Sequence, residues 1–184
     1  DRAKLEQFAT DLTNGITTMN EVLLNDADQD FKANQLTEYS DLIIKTMDMK
    51  KGGRQGSQKF PMPGMIDYLM DYGSIMDDDR AIAAVDISLT EMANGGIYDH
   101  WDGGFARYTV DPDWHVPHFE KMLYDNGQLV SLYSKGYQLT QKELFKNRII
   151  ETLDFIEREW TDKSGGIYSS YDADSENEFG HKEE

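Results

Sequence analysis

Residues 95–102 read GGIYDHWD, and nearly the same motif returns as GGIYSSYD at residues 165–172. A third glycine pair stands at residues 52–53. Each pair follows two stretches in which apolar residues recur at three- and four-residue spacing, the pattern of an amphipathic helix. Glycine is a common residue just past a helix end. The sequence therefore predicts an all-α fold in which a helix–helix–loop unit occurs three times.

The predicted helices are short enough to form hairpins. Apolar spacing places them at about residues 5–23, 36–47, 64–72, 78–93, 117–138 and 141–160. Between them, NDADQD at residues 25–30 indicates a solvated connection, and KGGRQGSQKFP at residues 51–61 indicates a loop, because its glycines and proline interrupt regular structure. A single hairpin cannot bury its apolar face, so such units stack into an open solenoid or close into a ring.

Charge and composition exclude several classes of function. The 35 acidic and 18 basic residues give a net charge of -17, which argues against binding of nucleic acid or of an anionic membrane surface. The chain has no cysteine, so it holds no disulfide, thiolate zinc site or redox pair of its own. Its apolar runs are too short to span a membrane. We expect a soluble, cytoplasmic protein, and both ends indicate a piece of a longer chain.

The glycine-rich loops contain more aromatic and charged residues than a helix cap requires. They contain the following aromatic, acidic and basic residues: Tyr98, His100, Trp101, Asp102, Phe105, Arg107, Tyr108, Trp114, Tyr168, Tyr171, Asp172 and Asp174. This content favours a ring whose loops line a pocket on one rim. Asp99 with His100, Trp101 and Asp102 suits sugar binding. The alternative is that Trp101 and Phe105 cover the core while Asp99 and Asp102 form turns.

The insert at residues 95–116 also predicts a small β-hairpin. Arg107 and Tyr108, just past GGF, would form one arm, and residues 114–116 would form the return arm. Arg107 is expected to pair with a carboxylate rather than a phosphate, because no glycine-rich cradle followed by Lys and Ser/Thr exists in the chain.

The fifth predicted helix opens with HVPHFEKMLYDN, residues 115–126. Its apolar arc covers about 180°, wider than the ~100° stripe of a surface helix. His118, Asp125 and Asn126 fall inside this arc, whereas Glu120 falls outside. Because buried polar groups must be paired, these three should meet partners or a ligand. Asn126 is expected to tie a loop carbonyl to the helix, although it also stands among the candidates for ligand contact.

The sequence supports two interpretations of His118. Pro117 suits a first helical turn, which would place His118 near the positive helix end, where the dipole disfavours the imidazolium. A neutral imidazole that faces a cavity could act as a general base. Equally, His118 could satisfy unpaired polar groups of the long insert.

Residues 172–183 match a calcium-loop template, with Asn177 where glycine is expected. Carboxylates occupy positions 1, 3, 5, 7 and 12 of the template: Asp172, Asp174, Glu176, Glu178 and Glu183. No clear helix follows, so we prefer a solvated acidic loop and expect no metal or other cofactor. Residues 26–30 repeat the pattern more faintly.

Three segments together resemble the YyaL-like family, also called the DUF255 or spermatogenesis-associated thioredoxin-domain family. They are residues 51–63 (KGGRQGSQKFPMP), 93–129 (ANGGIYDHWDGGFARYTVDPDWHVPHFEKMLYDNGQL) and 165–176 (GGIYSSYDADSE). The family places a thioredoxin-like domain ahead of a helical domain similar to the (α/α)6 toroids of N-acylglucosamine 2-epimerases and six-hairpin glycosidases. The resemblance implies that residues 1–184 form a single partial toroid domain, three hairpins of six, without the thioredoxin-like domain.

The family motif matches many of the residues that the loop and helix patterns select. The matching residues are Asp99, His100, Gly103, Gly104, Arg107, Tyr108, His118, Glu120, Lys121, Asp125, Asn126, Asp172 and Asp174. The chain departs from the family at Trp101-Asp102, where Leu-Gly is usual. This difference would alter the shape and charge of the pocket.

The leading hypothesis is that the parent protein epimerises, isomerises or hydrolyses a sugar or polyol. The candidate proton-transfer groups and their partner acids are His118, His100, Asp125, Asp99 and Asp172. The candidate ligand contacts are a platform of Trp101, Trp114 and Tyr108, and in addition Asp102, Arg107, Asn126, Tyr171 and Asp174. The other hypothesis is a non-catalytic scaffold that presents clients to the thioredoxin-like domain. Half a ring should also self-associate through its exposed apolar faces.

Overall fold

The computed structural model describes residues 2–21, 32–176 and 180–183. The chain divides into two compact units, Asp1–Lys32 and Ala33–Glu184. The described part of the first unit is essentially one exposed helix, α1 (Arg2–Asn20). The predicted connection at residues 25–30, with its faint calcium pattern, lies outside the described residues. The single domain over residues 1–184 stays a prediction.

The second unit is built from helical hairpins, which confirms the predicted fold class. Its helices are α2 (Ala33–Thr46), α3 (Pro63–Met76), α4 (Asp79–Asn94), α5 (Leu123–Thr140) and α6 (Glu143–Phe155), the last continued by a π-helical turn at Ile156–Trp160. Helix α3 packs on α4, and α5 packs on α6. None of the helices in the described ranges is long and apolar enough to cross a membrane.

The core lies where these hairpins meet. Ile66 and Leu69 of α3, Leu89 of α4 and Leu129 of α5 are fully buried. Tyr133 of α5 donates a hydrogen bond from its hydroxyl to the Leu89 carbonyl at 2.8 Å. Because this buried hydroxyl is satisfied, the aromatic ring contributes its full apolar area to the α4–α5 contact.

Three short antiparallel ladders join the loops. β1 (Tyr108–Thr109) pairs with β2 (Pro117–His118), β3 (Lys121–Met122) with β4 (Ser170–Tyr171), and β5 (Ser175–Glu176) with β6 (Lys182–Glu183). The predicted hairpin therefore exists, but its return arm is Pro117–His118 and not residues 114–116. Trp114 has a φ of 63° in the intervening turn, so residues 114–116 cannot continue as a strand.

The fifth helix begins later than the sequence indicates. It was expected from about residue 117, but α5 starts at Leu123. The preceding six residues are extended because they supply both β2 and β3, whose partners lie in the insert and in the loop after α6. His118 consequently lies in a strand, and the argument from the helix dipole does not apply to it.

A buried lysine fastens the insert to the loop after α2. The Lys59 ammonium donates to Asp48 Oδ2 at 2.9 Å and to the Gly52 carbonyl at 2.6 Å, while its backbone pairs with Thr109. The Trp114 indole lies on the same loop and donates to the Lys51 carbonyl at 2.7 Å. Together these bonds fix the base of the insert that carries the candidate site.

Candidate functional site

Asp99 organises the turn that follows the glycine pair of α4. Its Oδ1 accepts hydrogen bonds from the amides of Trp101 and Asp102 at 2.9 and 3.0 Å, and its Oδ2 accepts one from Lys121 Nζ at 2.8 Å. Partial burial alone would raise the pKa of Asp99, but these bonds outweigh burial and lower it. Asp99 is therefore an ionised turn former, and it does not suit the role of a proton donor.

Lys121 of β3 connects this turn to the end of α6. Besides Asp99, its ammonium donates to the Gly103 carbonyl at 2.8 Å and lies 4.2 Å from the centroid of the Phe155 ring. Gly103 and Gly104 both have positive φ, and a Cβ on Gly104 would come within 2.9 Å of Phe155. The second glycine pair of the insert thus lets the loop approach the aromatic ring.

His100 is held by contacts on both ring nitrogens. Nε2 lies 3.0 Å from the Gly95 carbonyl, which can only accept, and Nδ1 lies 3.4 Å from Arg148 Nη2, which can only donate. These contacts require the neutral tautomer with its hydrogen on Nε2. They leave neither nitrogen for a substrate, so the geometry does not favour His100 as a proton-transfer group.

A cleft opens beside this loop. It has a volume of about 350 Å³, and its walls include Ile97, Asp99, Trp101, Pro117, Phe119 and Lys121. The Trp101 side chain is 97% exposed and Phe119 is 62% exposed. We call it the Trp101 cleft. A smaller cavity of about 210 Å³ shares Trp101 and is also lined by Asp102, Glu151, Asp154 and Arg158.

The segment from residue 117 to 121 separates two groups of side chains. Its odd-numbered members line the Trp101 cleft. Its even-numbered members contact the β1 side instead: His118 stacks on Tyr108 at 4.8 Å between ring centroids, and the Glu120 carboxylate accepts from Arg107 at 3.1 Å. Alternation of this kind is expected where the backbone is extended. The segment is therefore a wall with two chemically different faces.

Asp125 stands in the first turn of α5, within electrostatic range of the Arg107–Glu120 pair. Its Oδ2 is buried and has no hydrogen-bond partner among the described residues. Burial raises the pKa of Asp125 to about 6, while the positive charge of Arg107 lowers it and the negative charge of Glu120 raises it further. This carboxyl can carry or release a proton near neutral pH.

Asn126 and Trp114 do not reach a ligand. The Asn126 side chain is buried; its Oδ1 accepts from the Phe105 amide at 2.7 Å and its Nδ2 donates to the Phe105 carbonyl at 3.0 Å. This is the structural tie expected from its place on the helix. The Trp114 side chain is fully buried against Gly53, so it cannot serve as a sugar platform. Tyr108 is half-covered between Phe60 and His118.

The acidic segment at the end of the chain stands apart from Asp125 in its contacts. The Tyr171 hydroxyl donates to the Glu159 carbonyl at 2.9 Å, and Asp172 lies 3.6 Å from Lys182. Asp174 is exposed. The side chains of Glu176 and Glu183 are outside the described set, as is Glu178. Across the ranges that are described, no three histidine or carboxylate side chains are grouped as metal ligands.

Two residues of α6 near the site, Arg148 and Glu151, cannot be predicted from the sequence. Arg148 donates to the Ala93 carbonyl at 2.8 Å and stacks on the Tyr98 ring, whose hydroxyl donates to Glu151 at 2.6 Å. Along α6, Arg148 and Glu151 have the spacing of an ordinary surface ion pair. Only the packing of α6 against the insert gives them a place beneath the loop.

Several solved structures are similar in fold to this chain. The chain is similar to cellobiose 2-epimerase from Spirochaeta thermophila, with a TM-score of 0.62 and 17% identity over 77% of this chain and 41% of that one. A sugar epimerase from a ruminal bacterium gives 0.66 and 13% identity over 76% and 40%. An unsaturated glucuronyl hydrolase specific for heparin gives 0.62 and 11% over 75% and 42%. The fold is therefore that of an α/α toroid.

Sequence relatives then give the family. Human spermatogenesis-associated protein 20 is 42% identical over 139 residues, which cover 73% of this chain. An uncharacterized protein of Caenorhabditis elegans is 36% identical over 136 residues, or 71% of the chain. No family model matches. The chain belongs to the YyaL-like family of spermatogenesis-associated protein 20, and its matched part spans 18% of the length of these relatives.

Proposed function

We propose that this chain forms part of a carbohydrate-directed active site in which Asp125 transfers a proton. The observation that carries the proposal is the Asp125 carboxyl itself. One of its oxygens is buried without a hydrogen-bond partner in the described residues, and its pKa is raised to about 6. A buried acceptor without a partner is costly, so such groups are retained where a ligand completes them.

The surroundings of Asp125 suit acid–base chemistry. A group whose pKa lies near the operating pH is most effective in proton transfer, because both protonation states are populated. Arg107 and Glu120 exert opposite effects on the pKa of Asp125. Arg107 and Glu120 also bind each other on the β1 side of the wall. The electrostatic field at Asp125 therefore depends on the geometry of this ion pair.

The substrate class rests on the fold and the aromatic surfaces. The similar structures are named as cellobiose and sugar epimerases and as a glucuronyl hydrolase. The reactions that these names describe all require proton transfer. Exposed aromatic rings such as Trp101 can stack on the apolar face of a sugar ring. Both epimerisation and glycoside hydrolysis remain within this proposal, and His118, the first proton-transfer candidate of the sequence analysis, stays a predicted proton-transfer group.

We further propose that the toroid is completed by other parts of a longer protein. The chain covers only 40–42% of the similar sugar enzymes and 18% of the sequence relatives. Activity therefore belongs to the full-length protein, and the test must be made there.

The test compares Asp125→Asn with Asp71→Asn in the full-length protein. Cellobiose and an unsaturated disaccharide prepared from heparin serve as substrates, and products are followed by chromatography. Asp125→Asn keeps the side-chain shape but removes the proton, so turnover should fall about 100-fold or more. Asp71 is exposed on α3 and lies 3.6 Å from Lys135, so its variant should keep wild-type turnover.

Equal turnover in Asp125→Asn and wild type would contradict the role of Asp125. The scaffold hypothesis predicts different results in these experiments. In that case the full-length protein would neither bind nor convert any sugar of the panel, while deletion of the thioredoxin-like domain would abolish its cellular phenotype.

A further inference from the structure

We infer that the Trp101 cleft binds the apolar face of a neutral pyranose ring. The inference rests on the proposed function for the chemical class of the ligand. It goes beyond that function because it names the surface that holds the sugar ring and the charge that this surface accepts.

The aromatic surface of the cleft is exposed in a way that core packing does not explain. Of the three tryptophans in the sequence, Trp114 and Trp160 are fully buried, whereas Trp101 is 97% exposed. Phe119 and Pro117 line the same cleft. A contiguous exposed apolar patch of this kind is typical of a binding surface. A flat indole that projects beside a cleft suits a flat apolar ligand face, which the axial hydrogens of a pyranose provide.

The polar groups of the cleft favour a ligand without charge. Lys121 and Asp99 neutralise each other at 2.8 Å. The Lys121 ammonium also binds the Gly103 carbonyl and faces the Phe155 ring, so its positive charge is already compensated within the loop. Asp99 has two backbone amides on its other oxygen. The Asp99 carboxylate can still accept hydrogen bonds from sugar hydroxyls.

The neighbouring cavity disfavours an anionic sugar. It shares Trp101 and carries three more carboxylates, Asp102, Glu151 and Asp154, against Arg158. Arg158 is already paired with Asp102, and Glu151 with Arg148. The chain as a whole has a net charge of -17. A uronate ring would therefore be repelled from the cleft, whereas a neutral hexose would not.

The residues that line the cleft are different from those whose charges influence the pKa of Asp125. Pro117, Phe119 and Lys121 face the cleft, while Glu120 pairs with Arg107 on the side that influences Asp125. A change at Trp101 should therefore alter affinity without altering the ionisation that governs turnover. This separation distinguishes failure of the cleft assignment from failure of the proposed function.

The experiment measures binding of cellobiose to the full-length protein by calorimetry. Trp101→Ala should weaken binding about tenfold or more, since it removes the stacking surface. Trp101→Phe, which keeps an aromatic face, should stay within about threefold of wild type. Tyr168→Ala is the matched control, because Tyr168 is an exposed aromatic of the second GGIY motif outside the cleft.

The probes also separate the ligand classes. An unsaturated uronate disaccharide should bind more weakly than cellobiose, and cyclohexanol should not compete with it. Wild-type affinity in Trp101→Ala, tight binding of the uronate, binding of cyclohexanol alone, or no binding of cellobiose to the wild type would each overturn the inference. If Trp101→Ala loses binding while Asp125→Asn retains full turnover, the cleft assignment stands and the proposed proton-transfer role fails.

Discussion

Asp125 and Asn126 are adjacent in the chain but meet opposite surroundings. Every polar atom of the Asn126 side chain is bonded, with Nδ2 shared between the carbonyls of Phe105 and Met122. Asp125 keeps a buried oxygen without a partner in the described residues. The first pattern fixes a loop on a helix, and the second leaves a group that a ligand can complete.

The raised pKa of Asp125 has a consequence for stability. Because the pKa is about 6 in the folded chain against 3.8 for the free group, folding favours the protonated form. The stabilisation is complete below the unfolded value and is lost as pH rises through about 6. Asp125→Asn cannot ionise, so its free energy of unfolding relative to wild type should rise by about 1–2 kcal/mol between about pH 4 and pH 7, after allowance for solvent screening.

Urea unfolding at a series of pH values measures this difference directly. A difference between the two proteins that stays constant over the whole range would show that Asp125 titrates in the folded chain as it does in the unfolded chain.

Lys59 fixes the insert to the loop after α2. Its ammonium is fully buried, and its bonds to Asp48 and Gly52 have no solvent to replace them. Removing one member of a buried pair leaves the other uncompensated. Hydrogen bonds from the Lys51 and Lys50 amides and from Lys59 also outweigh partial burial and lower the pKa of Asp48 to about 2.

Lys59→Met should destabilise the protein by about 2–4 kcal/mol, since it keeps the apolar stem but removes the buried charge. Lys142→Met is the matched control, because Lys142 pairs with Asp86 at a partly exposed position where such pairs contribute about 1 kcal/mol or less. Both variants can be compared by the midpoint of urea unfolding at neutral pH. An equally small loss of stability in both variants would contradict this structural role of Lys59.

Sequence patterns predict the helices well and the extended wall poorly. Local periodicity and the glycine pairs identify the helices of the second unit to within a few residues, apart from the start of α5. The wall is missed because its partners are distant: Lys121 pairs with Tyr171, and Tyr108 with His118. Pro117 is compatible with a first helical turn and with an edge strand, so only tertiary pairing decides. Non-local packing likewise determines that Trp114 is buried while Trp101 is exposed.

The whole molecule shares its α/α toroid fold with known sugar enzymes, and the family relatives carry related sequence over most of the chain. That the loops of the second unit line a pocket on one rim stays a prediction, as does the departure of Trp101-Asp102 from the Leu-Gly that the family resemblance implies. Self-association of the half-ring stays a prediction. The central claim is that proton transfer by Asp125 governs turnover of a sugar by the full-length protein.

We test this role with the pH dependence of kcat/KM for cellobiose, which reports ionisations of the free protein, in the wild type and in Glu120→Gln. We expect an ionisation near 6 in the wild type. Because the charge of Glu120 raises the pKa of Asp125, that ionisation should move to lower pH in Glu120→Gln. A kcat/KM that does not change between about pH 5 and pH 7, or an ionisation that stays in place in Glu120→Gln, would contradict proton transfer by Asp125.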